Sequence, residues 1–393
     1  MKGILFIILI LSLDFVAISQ NYGVINDLDD VSEFKKLDSL IKGKKYIFLG
    51  ENNHYVHEYS QIKYTLIKYL HEKHNFNVIL FESGMADCYY GNSLKYKNDS
   101  TWLTRHSIYP VWWSEPTISL MNYVKQNNLN IGGVDYQPSS SYGSGFLKLL
   151  KNVDTSLINE TYYNDSLFSN FTTFHRVDSN LDQTVYDSIK KIANTLTKNY
   201  TLLNEIIAEK SKVDSTLLYY KKVISNRLFL LNNFENTKKM YPLRDSVMAD
   251  NIVWFCDSLY PNEKIIIWGA NDHIAKARSN FGNYYAGAVL PDRIKKESYY
   301  VGLYGFSGEL YNYQDGKYTL EKPNKKSLEG RLHTFFGEGN SGWIDFNSMK
   351  SKKSFKWLNK TVWSYALGKY PVKIIPVKFY DGIIFINKLS INH

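Results

Sequence analysis

The sequence has only two cysteines in 393 residues, Cys88 and Cys256, too few and too far apart for a disulfide-stapled fold. Each lies beside an apolar segment and reads as a buried free thiol rather than half of a bridge. Long apolar runs are equally scarce. The stretch Ile4–Leu13 is too short to cross a bilayer, and no other stretch has the length and purity of a transmembrane helix. With one lysine ahead of it and Ala17-Ile18-Ser19 behind it, residues 1–19 are expected to be a secretory signal peptide. That places the protein in a periplasmic or extracellular compartment, with no stable membrane anchor. No Gly-x-Ser-x-Gly nucleophile elbow is present, and Gly305-Phe306-Ser307-Gly308 has the wrong spacing for one. The metalloprotease pair His-Glu-x-x-His is missing, and Ser139–Gly145, which reads as a flexible stretch, lacks the Lys-Ser/Thr ending of a phosphate-binding loop. Glycine and proline vanish between Asp154 and Asn236.

What is present is a hydrophobic fraction of 44% and a formal charge of +9, enough apolar residues for a full core. Lysines are spread along the chain with short clusters such as Lys325-Lys326 and Lys350–Lys353, which reads as a solvated surface and not a nucleic-acid site. The 32 tyrosines and 21 phenylalanines suit strand-rich packing, with some free to line an apolar pocket.

Four short apolar runs share one grammar: each stops abruptly at polar, ionisable residues. Tyr46–Leu49 ends in Gly50-Glu51-Asn52-Asn53-His54, and Val78–Phe81 ends at Glu82. Ile131–Val134 ends at Asp135, and Ile265–Trp268 ends, after Gly269, at Asn271, Asp272 and His273. Runs this short, flanked by Gly and Lys, favour strands. Helical spacing follows the first run from Glu58 to His71 (Ile62, Leu66, Tyr69), so Gly50–His57 is a strand-to-helix loop. In parallel α/β sheets such loops gather at the carboxyl edge, where ligands bind.

The implied fold is α/β, a mainly parallel central sheet flanked by helices, with an inserted helical subdomain. Residues 20–153 form the first part of the core, 154–240 the insertion and 241–393 the second part. Tyr299–Tyr304 and Gly382–Ile386 are further strands, whereas Gly308–Gly368 reads as loops with short helices. A carboxylate and imidazole set on one rim suits proton transfer to water, or a metal site built from the same groups. Each member also has a plain structural role open to it: Glu51 and His54 as helix caps, Glu82 as an ion-pair partner, Asp135 as a loop-ordering residue, Lys63 as a solvated face.

Six motifs, in order, carry a resemblance: Gly50–His54 with Glu58 opening a helix, Phe81-Glu82, Gly133–Gln137, Arg244–Asn251, Trp268–His273 and Tyr380–Ile386. On these motifs the sequence resembles the erythromycin esterase family over nearly the whole mature chain, apart from the divergent helical middle. The resemblance implies hydrolysis of a carboxylic ester or lactone by a His54-activated water, with no covalent intermediate. Glu51 and Glu82 would orient the histidines, Arg244 and His273 would complete the polar lining, and Lys63, Asp135 and Asn271 would contact substrate. No cofactor and no metal are expected, and the partner is a small-molecule ester or lactone bound by a monomer. Two departures stand out. Ala270 occupies the place of a family histidine, and Lys63 that of an arginine, keeping charge but losing the bidentate fork. The alternatives are a metal-dependent hydrolase with Glu51, His54, Glu82 and His273 as ligands, or a non-catalytic small-molecule-binding protein.

Overall fold

The computed structural model describes residues 21–138, 141–150, 153–174, 182–210, 217–235, 237–278, 285–312, 316–320 and 322–392. The leader expected over residues 1–19 lies outside them. In chain order the strands are β1 (Tyr22–Ile25), β2 (Tyr46–Leu49), β3 (Phe76–Gly84), β4 (Asn130–Asp135), β5 (Lys264–Trp268), β6 (Ser298–Asn312), β7 (Gly316–Leu320), β8 (Ser341–Asp345), β9 (Val362–Ala366), β10 (Tyr370–Ile374) and β11 (Gly382–Leu389). Nine of them form one sheet, ordered β1-β8-β11-β6-β2-β5-β3-β4 with β7 on the far half of β6. From β11 to β4 every pairing is parallel. Antiparallel pairs join β8 to β11, β1 to β8 and β7 to the end of β6, and β9 and β10 form a separate antiparallel hairpin.

The four runs that share a grammar are β2, β5, β3 and β4, adjacent and parallel, so their polar endings meet at one edge. Their side chains are apolar without alternation because both faces are covered. Ile47 and Leu49 face the layer that includes helices His57–His74 and Glu115–Gln126. Phe48 faces the opposite layer with side chains of the helices Thr155–Phe174, Gln183–Lys210, Leu217–Asn233 and Thr237–Trp254. Cys88 and Cys256 are both free and buried. Among the described residues no helix is long and apolar enough to cross a membrane.

The structure differs from the sequence expectation in three places. Within 308–368 it contains the end of β6, β7, β8 and β9, not mainly loops. β1 and β10 were also unanticipated. Part of the glycine-serine stretch forms a 3-10 turn, Ser141–Leu149, anchored by buried Phe146 and Leu147.

Candidate active site

At the end of β2 the chain must turn tightly under Asn271. A Cβ on Gly50 would lie 2.0 Å from Asn271 Oδ1, so only glycine fits there. Tyr55, four residues beyond Glu51, takes a left-handed conformation (φ 59°), pinned by Val111 O on its N–H and by the Asn392 N–H on its carbonyl. A non-glycine residue held this way is locally strained, and the surrounding bonds keep the loop in one shape.

That shape points Glu51 inward, where it is 3% exposed. Its Oε1 accepts from His54 Nδ1 at 2.7 Å and from Trp112 Nε1 at 2.5 Å, and its Oε2 accepts from Lys63 Nζ at 2.7 Å. Burial alone would raise the Glu51 carboxyl, but Lys63 and His54 outweigh it and hold the pKa below the ordinary value. Glu51 is therefore an acceptor only, so the His54 proton sits on Nδ1 and Nε2 carries the lone pair. Nε2 has no hydrogen-bond partner among the described residues, and the side chain is 31% exposed. Neither residue caps the next helix, whose N-cap is Val56 without a side-chain bond. Lys63, open to a reading as a solvated residue, is buried with its ammonium 4.3 Å from the Trp268 ring.

A second cluster forms at the ends of β3, β4 and β5. Arg244, on the Thr237–Trp254 helix, donates from Nε and Nη2 to Asp135 Oδ2 at 2.8 and 2.6 Å and from Nη2 to Glu82 Oε1 at 3.0 Å. Glu82 Oε2 accepts the Ala270 N–H at 2.7 Å. His273 places Nδ1 2.8 Å from Asp245 Oδ1 and Nε2 3.3 Å from Glu82 Oε1. Burial works against a charged His273, but Glu82 and Asp245 more than compensate and push its pKa up to about 9. At neutral pH that makes it an imidazolium, with Nδ1 donating to Asp245 and Nε2 at ion-pair distance from Glu82. Arg244 Nη1, 3.2 Å from Nε2, is then a like-charged neighbour rather than a donor to it. Burial likewise opposes the Glu82 carboxylate, yet His273, Arg244, His54 and the Ala270 N–H together lower its pKa. The adjacent N–H groups of Ala270 and Asn271, one on Glu82 Oε2 and the other on Glu51 O, join the two clusters.

Of the eight residues singled out in the sequence, Glu51, His54 and Lys63 are brought together in one cluster, and Glu82, Asp135, Arg244 and His273 in the other. Asn271 is placed differently. It is 3% exposed, its Nδ2 donates to Leu303 O at 3.1 Å and its N–H donates to Glu51 O at 2.8 Å, so it staples β5 to β6 and to the loop. Arg244 pairs with Asp135 and Glu82, leaving Asp245 to His273. Three partners were not foreseen. Trp112 holds Glu51, Asp245 holds His273, and the Tyr109 hydroxyl donates to Asp135 Oδ2 at 3.0 Å. Asp245 stood within a recognised motif; Trp112 and Tyr109 had only their aromatic surroundings to mark them.

Both oxygens of Glu51 and of Glu82 are taken by N–H donors, and Lys63 and Arg244 supply the positive charge beside them. Among the described residues no group of three or more His, Cys, Asp or Glu side chains could hold a metal ion.

The erythromycin esterase family model matches residues 71–389. A putative hydrolase, YbfO, of Bacillus subtilis is 27% identical, covering 91% of this chain and 86% of its own. The Escherichia coli erythromycin esterase type II is 22% identical over 77% of this chain and 81% of its own. An erythromycin esterase mutant solved in its open conformation shares the fold, with a TM-score of 0.69 at 17% identity, covering 95% of this chain and 98% of that one. With a family model spanning most of its length and the cluster geometry in place, the chain belongs to the erythromycin esterase family.

Proposed function

We propose that the protein hydrolyses a carboxylic ester or lactone by direct attack of a water that His54 deprotonates. The observation that carries this reading is the Glu51–His54 pair, with Nδ1 committed at 2.7 Å and Nε2 open on a half-buried ring. Nε2 takes a proton from water as the oxygen attacks the carbonyl carbon. Glu51 steadies the imidazolium that forms, as the carboxylate does in a hydrolytic triad. The tetrahedral oxyanion collapses, the carbon–oxygen bond to the alcohol breaks, and the departing alkoxide takes the proton back from Nε2. The products are the alcohol and the acid, or one hydroxy acid from a lactone. We assign the oxyanion to Arg244 Nη1, the guanidinium nitrogen that bonds neither Asp135 nor Glu82.

His54→Ala, assayed on a panel of esters and lactones, tests the reading. Turnover lost in a folded variant supports it, and hydrolysis at the wild-type rate removes it. Single turnover in ¹⁸O-labelled water should place the label in the acid and leave the protein unmodified. Secretion is part of the proposal, and N-terminal sequencing of the exported protein should begin near residue 20.

A further inference from the structure

The positive charge of the chain is concentrated in one segment. Residues 346–380 hold eight lysines, no arginine and no acidic residue, within a chain of 47 basic and 38 acidic side chains. The remaining residues, with 39 basic and 38 acidic side chains, are nearly neutral. In the fold the segment closes on itself as a lobe: the 3-10 turn Lys353–Asn359 leads into β9, β9 returns as β10, and β10 leads into the helix Pro376–Phe379, which packs against the 3-10 turn. Phe355, Leu358, Val362, Ile374 and Phe379 join the buried core. Seven of the lysines, Lys350 excepted, are exposed.

Among those lysines the hairpin exposes large apolar side chains: Trp363 is 47% exposed, Leu367 42% and Tyr370 48%. Trp363 faces Lys373 across the hairpin, with the ammonium 5.0 Å from the indole centroid. Leu367 sits at the turn. The hairpin also rests on the catalytic loop. Asn52 Nδ2 donates to Tyr365 O at 2.8 Å, and Asn53 Nδ2 donates at 3.2 Å to the Tyr318 hydroxyl, which donates at 3.0 Å to Leu367 O.

We infer that the 346–380 lobe docks on the surface of an anionic phospholipid bilayer. Lysines attract such a surface additively, while a neighbouring Trp, Tyr and Leu enter the headgroup layer with their apolar parts. A polyanion such as nucleic acid is the less suitable partner. An exposed leucine and indole beside the lysines add nothing to phosphate binding, whereas a headgroup layer buries them. Docking brings the Gly50–Val56 loop close to the headgroups. Resting on the hydrolase reading above, this makes esters that partition into the bilayer the substrate class presented to His54.

Co-sedimentation of the full chain with phosphatidylcholine vesicles, with and without phosphatidylglycerol, tests the docking. Binding is expected only to the anionic vesicles and should weaken as salt is raised. Replacing Lys352, Lys353 and Lys356 together by glutamine should weaken it by roughly 100-fold, at roughly fivefold per lysine. Trp363→Ser combined with Leu367→Ser should weaken it by roughly tenfold. Every variant keeps residues 1–20, so any lipid affinity of the apolar Ile4–Leu13 run is common to all arms. Equal binding to neutral vesicles, no binding to anionic ones, or indifference to the lysine substitutions overturns the proposal. Binding that depends on the lysines, ignores Trp363 and Leu367 and is displaced by heparin identifies a polyanion site and overturns it equally. None of these arms measures turnover, so their failure leaves the hydrolase reading standing, and failure of hydrolysis leaves the docking standing.

Discussion

His54 and His273 begin alike and end differently. Each follows a parallel strand, and each places Nδ1 against a buried carboxylate, Glu51 at 2.7 Å and Asp245 at 2.8 Å. The second nitrogen separates them. Nε2 of His54 has no hydrogen-bond partner among the described residues, on a side chain 31% exposed, whereas Nε2 of His273 lies against Glu82 on a side chain 8% exposed. A carboxylate on one nitrogen sets the tautomer; a second carboxylate on the other turns the ring into a fixed cation. One imidazole is left to exchange a proton, and its counterpart helps hold the carboxylates and Arg244 in place.

The sharpest way to break this contrast is to remove each ring in turn. His54→Ala should lower kcat by ~10²–10⁴ and cost only about 1 kcal/mol of stability, because Lys63 and Trp112 still hold Glu51. Esterase kinetics beside a urea melt measure both. If His54→Ala keeps its activity and His273→Ala alone loses it, the roles are reversed.

His273→Ala should do what His54→Ala does not. It leaves Asp245 and Glu82 buried without their shared cation, a loss of about 3–5 kcal/mol of folding stability. Its activity should fall too, through displacement of Arg244. Urea unfolding at neutral pH reads the difference, and a variant as stable as wild type would show that the imidazolium is not needed there.

The same cation makes stability depend on pH. The folded pKa of His273, about 9, lies above its ordinary 6.5. The bound proton therefore favours the folded state fully below pH 6.5, and this contribution is lost as pH rises through 9. The range is worth roughly 3 kcal/mol at these values. In His273→Gln this decline between pH 6.5 and 9 should largely disappear. Glu51 and Glu82, with lowered pKa values, act in the opposite direction: their contribution is present above the ordinary carboxylate value and is lost as pH falls through the folded one.

Much of this pair of clusters was legible in the sequence because parallel, doubly covered strands write themselves as pure apolar runs. β2, β3, β4 and β5 do so, and the polar residue that ends each run is the one delivered to the rim. The edge strands carry no such signature. β7 (Gly316–Leu320) alternates exposed and covered residues over five positions, and β9 and β10 expose Trp363, Tyr370 and Lys373, so nothing in composition parts them from loops. Lys63 illustrates another limit. It shares a helical face with Tyr59, Ile62 and Leu66, yet only its partner Glu51, brought alongside by the fold, explains a buried lysine. Trp112 reaches Glu51 across 61 positions, a distance no local pattern records. The lysines of 346–380 read as scattered when scanned along the chain. Their concentration shows when acidic residues are counted with them.

A third carboxyl sharpens the comparison at the smallest scale. Glu329 is 1% exposed, and its Oε1 accepts from Ser364 Oγ at 2.7 Å and from the Tyr365 N–H at 2.9 Å. Its Oε2 has no hydrogen-bond partner among the described residues, and burial raises its pKa. Unlike Glu51 and Glu82, it has no cation in contact among the described residues, so protonation relieves the cost of its burial. For such an acid the folded state binds the proton more tightly than the unfolded one, and stability declines as pH rises from the ordinary carboxylate value through the raised one. Glutamine keeps the Oε1 acceptor and cannot ionise. Glu329→Gln should therefore match or exceed wild-type stability by up to about 1 kcal/mol at neutral pH and leave kcat unchanged, because Tyr365 O still holds Asn52. Glu329→Leu, which strands the Ser364 hydroxyl and the Tyr365 N–H, should cost about 1–3 kcal/mol. If glutamine proves as damaging as leucine, Glu329 is an ionised partner like Glu51, and the division between charged and neutral carboxyls along this rim does not hold.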